Sequence, residues 1–245
     1  MILNWLPQDI STFGPSIDSV LTLIIYVVGT AFVLAEGTLL AFVILYRRRK
    51  GGRAAFVPGN SLRELAWVLI PVVIVIFLDV AIDVRARPIW ELVKEPEQSP
   101  APALTVKLDA FQFGWEFTYP GPDGQFGTHD LVQTTTLTVP TGQVIRLLMT
   151  SKDAIHSFYV PQLRLKQDVI PGREVRAWFE VTRPGKYEIA CSQLCGVSHF
   201  AMKGVLRVLT PAEYQQWVSQ HWPKSGAGAA KSASSARSSA SATEG

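Results

Sequence analysis

Twelve consecutive residues, Cys191-Ser-Gln-Leu-Cys195-Gly-Val-Ser-His199-Phe-Ala-Met202, hold two thiols, an imidazole and a thioether. The 245-residue chain has no other cysteine. Soft sulfur ligands beside imidazole suit copper better than the other common biological metals. A mononuclear electron-transfer copper needs one thiolate. Two thiolates point to a pair of coppers bridged by both sulfurs, a centre that shares one electron between two metals. Only four histidines are present. His156, in Asp153-Ala-Ile-His156, is the candidate second imidazole if a strand end and a later loop meet at one pole. The shell would then be Cys191, Cys195, His156, His199, Met202 and one further oxygen.

Other readings of these residues are weaker. A Cys191–Cys195 disulfide closes a very small ring and leaves His199 and Met202 without a purpose. Zinc takes cysteine and histidine but does not usually recruit methionine. His129 reads as an ordinary loop histidine and His221 as an exposed one beside the tail. No Cys-x-x-Cys-His occurs, so no c-type haem is attached to this chain.

The copper loop needs a frame, and the chain divides into parts that could supply one. Residues 1–19 form an N-terminal segment. Between Val20 and Tyr46 the only charge is Glu36, and between Leu65 and Leu78 there is none. Both runs extend to the ~20 apolar residues of a membrane span. The first has no basic residue before it and is too long for a cleavable signal. The second begins near Arg63 and Glu64, ends near Asp79 to Asp83, and carries Pro71, a predicted kink. Residues 20–95 thus read as a transmembrane hairpin. Its loop holds Arg47, Arg48, Arg49, Lys50, Arg53 and Arg63, which places that loop in the cytoplasm and both termini on the outer, periplasmic side of a bacterial inner membrane.

Pro96 to Pro102 reads as a stiff linker into an exported domain, residues 96–223. Period-two alternation marks strands at Leu104–Phe111, Thr136–Val139, Val144–Met149, Val175–Val181, Tyr187–Ala190 and Gly204–Leu209. Proline-glycine turns separate them. These predict an antiparallel sandwich or Greek-key barrel. A short helix should start at Pro211, capped by Thr210. Residues 224–245 are Ser, Ala and Gly with scattered charge, a tail that cannot bury a core. The net charge of +3, with no basic stripe among aromatics, argues against nucleic acid as a partner.

With these motifs in place, the chain resembles subunit II of the haem-copper cytochrome c oxidases, from about Val20 to Trp217. The resemblance implies a cupredoxin-like domain behind a two-helix anchor and a dinuclear CuA centre. Cys191 and Cys195 would bridge the coppers and His156 and His199 would be terminal ligands. Met202 would bind one copper weakly and the Gln193 carbonyl the other. The implied role is electron entry. CuA takes electrons from cytochrome c or a similar periplasmic donor and passes them to haem in subunit I, where oxygen is reduced and protons are pumped. A CuA subunit of a nitric oxide reductase and a membrane-tethered copper carrier are the alternatives. A quinol oxidase is disfavoured, because that branch lacks these ligands.

Several positions depart from the family pattern. Where many members have Glu, this chain has Gln193. A backbone carbonyl survives that change, but a neutral amide is a poorer ligand for a hard cation, so magnesium at the subunit I interface is called into question. The electron-entry stretch reads Gln112-Phe113-Gly114-Trp115, with Phe113 at the position of the usual tryptophan. Trp115 is retained, and a core aromatic is its simplest reading. Ten acidic and eleven basic residues between Ala101 and Pro223 predict only modest steering of a basic donor. Glu64 matches the family's proton-uptake glutamate, and equally fits an interfacial charge beside Trp67. Asp168 matches an acid near the subunit I interface, or simply a turn residue. Glu36, in mid-span, is costly unless it faces protein or water.

Overall fold

The structure is a computed structural model and describes residues 6–48, 51–53, 56–94, 99–121, 123–127 and 130–222. Arg49 and Lys50 of the basic loop, His129, residues 95–98 of the linker and the tail from Lys224 lie outside the described residues.

The chain forms two units. The first contains helices α1 (Gly14–Leu45) and α2 (Leu62–Lys94), of 32 and 33 residues. At 1.5 Å per residue each is about 48 Å long, more than the ~30 Å hydrocarbon core of a bilayer. Their apolar side chains point outward; Phe32 is 63% and Phe77 72% exposed. Such surface is costly in water and natural in lipid. Ser61 and Glu64 start α2 with a reciprocal cap: each backbone N–H donates to the other's side chain, at 3.2 and 3.3 Å. The helix does not stop where its apolar run ends. It continues to Lys94 through both Pro71 and Pro88, helped by an Asp83–Arg87 pair at 2.9 Å.

The second unit is the β-domain together with Ile10–Thr12. Its strands are β1 (Leu104–Phe111), β2 (Gly114–Tyr119), β3 (Leu131–Thr134), β4 (Thr136–Pro140), β5 (Val144–Ser151), β6 (His156–Val160), β7 (Leu165–Val169), β8 (Val175–Glu180), β9 (Gly185–Cys191) and β10 (Lys203–Leu209). Two five-stranded sheets result, ordered β3-β2-β1-β5-β8 and β4-β10-β9-β6-β7. This is a cupredoxin-like sandwich, with one correction to the sequence reading. The sheets are mixed rather than antiparallel, because β1 pairs with β5, and β4 with β10, in parallel. The reason lies at Thr135, where a positive φ of 64° turns the chain out of one sheet at β3 and into the other at β4. Its carbonyl accepts from Val205 N–H at 2.7 Å and its N–H donates to the Trp115 carbonyl at 2.9 Å.

The β2, β3, β6 and β7 strands were not anticipated. In β2 the inward residues Trp115, Phe117 and Tyr119 are fully buried, with Glu116 and Thr118 on the other face. They join Leu108, Leu147, Met149, Phe158, Phe179 and Leu206 in the core between the sheets. Ile10 is also buried and bonds to the domain, donating to the Gln162 carbonyl and accepting from Thr182 N–H. Helix α3 (Pro211–His221) begins as expected, with Thr210 and Glu213 completing a capping box. Trp217 of α3 packs on Tyr119 at 5.4 Å. His221 is exposed and donates to the Trp217 carbonyl at 2.8 Å.

Tyr119 ties one sheet to the other. Its phenol donates to the Thr138 carbonyl at 3.1 Å and accepts from Thr138 N–H at 2.6 Å. Burial pushes its pKa up, so it stays neutral. Tyr119→Phe would leave two buried backbone groups without partners. It should lower unfolding stability by about 1–3 kcal/mol, measurable by denaturant titration of the metal-free chain, and an unchanged midpoint would refute this role.

Candidate metal centre

The candidate ligands come from two places in the second sheet. His156 opens β6. Cys191 closes β9, and the loop 192–202 leads into β10. Strands β6 and β9 are antiparallel neighbours, with Phe158 opposite Cys191 and Tyr159 opposite Ala190. That register places an imidazole beside a thiol 35 residues away. The loop is pinned at its base by Cys191 N–H to the Met202 carbonyl at 3.2 Å, and to β6 by Ser192 N–H to the Ser157 carbonyl at 3.0 Å. Inside it, a short 3₁₀ turn over His199–Ala201 swings His199 and Met202 back toward the cysteines.

All of the predicted donors converge. The sulfurs of Cys191 and Cys195 are 3.8 Å apart and both cysteines are free. His156 Nδ1 is 3.9 Å from the Cys191 sulfur and the Gln193 carbonyl oxygen 3.2 Å from it. His199 Nδ1 is 3.6 Å, and the Met202 sulfur 3.8 Å, from the Cys195 sulfur. Ligand atoms of His156, Cys191 and Cys195 all lie within 4.8 Å of one another. His156, Met202 and both cysteines are buried, and His199 is half-buried at the edge. Three sulfurs, two imidazoles and a carbonyl make a donor set that suits a soft, thiol-seeking cation.

The electrostatics among these donors favour a cation. Burial, then the neighbouring Cys191 thiol, push the Cys195 pKa up, so the sulfur keeps its proton. A bound metal ion favours the thiolate instead.

His156 is held by Asp153, a residue that ligand counting does not single out. His156 Nε2 lies 2.8 Å from Asp153 Oδ1. A carboxylate only accepts, so Nε2 carries the proton and the Nδ1 lone pair is left for a metal. Burial works against the Asp153 charge. Hydrogen bonds from His156 and from the N–H groups of Gln112 and Ala154 outweigh it and hold its pKa below the usual range. The available signal was an acid three residues before a candidate ligand.

The other candidates fall in different surroundings. Trp115 is fully buried, edge-on to His156 at 6.3 Å and to Phe158 at 5.9 Å. It is a core aromatic that forms a wall for the imidazole. Phe113, half-buried, lies against Gly196 of the loop: a Cβ at that glycine would come within 3.0 Å of the Phe113 ring. The rim is apolar and open, with Leu194, Val197 and Phe200 at 77, 91 and 80% exposure. Glu64 caps α2, Asp168 stands opposite Ser157 in the β6–β7 ladder, and Glu36 is exposed on α1.

Asp153→Ala removes the partner of a buried imidazole. Metal affinity should fall about 10- to 100-fold, read by competition with a chelator of known strength; wild-type affinity would show that Asp153 does not orient His156.

Comparison with known proteins adds a family to this geometry. A family model described as cytochrome c oxidase subunit II, periplasmic domain, matches residues 117–209. The chain is 30% identical over 264 residues to cytochrome c oxidase subunit 2 of Thermostichus vulcanus, covering 88% of this chain and 78% of that protein. It is 31% identical over 206 residues to the probable cytochrome c oxidase subunit 2 of Rickettsia prowazekii, covering 78% and 64%. Among solved structures, the periplasmic domain of subunit II of cytochrome oxidase from Bradyrhizobium japonicum aligns with 50% of this chain and 95% of its own, at 30% identity and a TM-score of 0.44. With such identity across most of both chains, and two helices fit to anchor a β-domain that gathers these ligands, this chain belongs to the cytochrome c oxidase subunit II family and is a subunit of an oxidoreductase complex.

Proposed function

We propose that this chain is the electron-entry subunit of its oxidase and that its metal centre is a copper pair. The observation that carries the proposal is the meeting of His156 with Cys191, Cys195 and Met202. Cys191, Cys195, His156 and His199 would hold the coppers, with Met202 as a weak ligand and the Gln193 carbonyl completing the set. When bound there, copper supplies one-electron chemistry between a periplasmic donor such as cytochrome c and the haem of subunit I. The protein's own part is to hold the ligands still. A strand-anchored imidazole, a loop closed at its base and a buried thioether leave little that can rearrange. Phe113 lies over the loop as the candidate contact for an arriving electron.

The surroundings fit a role within a larger assembly. Ile10–Thr12, just before α1, bond to the β-domain, and α2 leads on to β1. The basic loop assigns its own side of the membrane to the cytoplasm and, in our reading, both termini and the β-domain to the periplasm. The apolar rim of Leu194, Val197 and Phe200 is suited to cover by a partner subunit. Gln193 offers an amide where magnesium would prefer a carboxylate, so the proposal includes no magnesium held by this side chain.

Copper reconstitution of the full chain should give two coppers per chain with the near-infrared band and paramagnetic spectrum of a delocalised pair. Cys191→Ser and Cys195→Ser should each abolish that signature. A wild-type chain that takes up copper without it would defeat the proposal.

Charge on the domain is nearly balanced, and ion pairs such as Lys152–Glu116 and Lys203–Glu188 neutralise one another locally. Oxidation of a highly basic cytochrome c by the complex should therefore vary only a few-fold between low and physiological salt. A steep decline would contradict this.

A further inference from the structure

We propose that Gln112 is a positioning residue that braces the two ligand-bearing loops against each other; the proposal rests on the copper reading above. Gln112 lies in the turn between β1 and β2 and supplies no ligand. Its backbone N–H donates to Asp153 Oδ2 at 2.7 Å. The other oxygen of that carboxylate holds the His156 ring and accepts from Ala154 N–H at 2.6 Å. Its side-chain amide, Nε2, donates to the carbonyl of Cys195. One residue thus reaches two loops that are 41 and 83 positions further along the chain.

The consequences can be followed atom by atom. Holding the Cys195 carbonyl fixes the plane of the Cys195–Gly196 peptide. The carbonyl of Gly196 accepts from His199 N–H at 3.1 Å, so the turn that presents His199 starts one residue beyond that fixed peptide. On the other side, Gln112 N–H fixes the Asp153 carboxylate that orients His156. Both imidazoles therefore take their bearings from one residue.

Gly196 has the shape this brace demands. Its φ of +147° is one that residues with a Cβ rarely adopt. A Cβ there would come within 2.9 Å of Gln112 Nε2 as well as 3.0 Å of the Phe113 ring. The base of the brace is fixed too. Lys152 N–H donates to the Ala110 carbonyl at 2.9 Å and Lys152 Nζ reaches Glu116 at 3.0 Å, tying the His156 loop to β1 and β2. Gln112 itself is exposed and buries little apolar surface, so its contribution belongs to the site and not to the core.

The test uses the full chain and two variants, Gln112→Glu, which places a carboxylate oxygen against a carbonyl, and Gln112→Met, which keeps the length without a donor or a charge. Copper loss to a chelator should accelerate about tenfold or more in both, with a shifted near-infrared band. The metal-free variants should melt within about 2 °C of the wild type, as expected for an exposed position. Both variants keep the backbone N–H that bonds Asp153, so the loss reads the side-chain bond to the Cys195 carbonyl. If Gln112→Glu does not fold, Gln112→Met carries the test. Wild-type copper retention and spectrum, or a large drop in metal-free melting temperature, would each overturn the brace and leave the copper assignment intact. A wild-type chain that binds no copper would instead overturn the assignment on which the brace rests.

Discussion

The pairing of β6 with β9 is the contact from which the metal centre follows. Phe158 opposite Cys191 and Tyr159 opposite Ala190 set a register. A slip of one residue would turn His156 to the other face of its sheet and leave the two thiols without an imidazole. Much of the domain acts to hold that register. Trp115 and Phe158 pack edge to face beneath it at 5.9 Å. Thr135, at its positive φ, passes the chain between sheets where β10 needs a neighbour. The Tyr119 phenol then locks the two sheets across the core.

A site assembled this way carries an internal cost before any metal arrives. Two buried thiols and a buried imidazole crowd together, and burial opposes loss of the Cys195 proton. The protein compensates in the surrounding shell. Asp153 keeps its charge through three hydrogen bonds and fixes which imidazole nitrogen faces the sulfurs. Such an arrangement has little to rearrange around a bound cation. The same rigidity suits rapid one-electron exchange, since nuclear movement is what slows such a transfer.

The candidate ligands stood out in the sequence because their types are rare and their spacing is tight. Four of the side-chain donors lie in one twelve-residue stretch, and with so few histidines His156 stood out. Strands with clean alternation, such as Leu104–Phe111, could be read to the residue. Others were hidden by their own composition. The β2 strand looked like an aromatic motif, β3 is only four residues long with its outward side chains exposed, and β6 is buried on both faces along most of its length. The parallel pairings could not be read, since strand order is set by a crossover at Thr135 and no local pattern announces it. Asp153 and Gln112 were present in quoted motifs; the role of Asp153 is local, three residues from His156, but that of Gln112 depends on contacts 41 and 83 residues away. Glu64 shows the opposite case: a residue singled out for proton uptake also has a local structural task, in the serine–glutamate cap of α2.

Electron entry through the loop of Cys191 and Cys195 is tested most directly by injecting one electron photochemically into the assembled oxidase. The near-infrared band of the copper and the visible band of the haem are then followed together. The account predicts that the near-infrared band bleaches first and recovers at the rate at which haem is reduced. Reduction of the haem with no preceding change in the near-infrared band would contradict it.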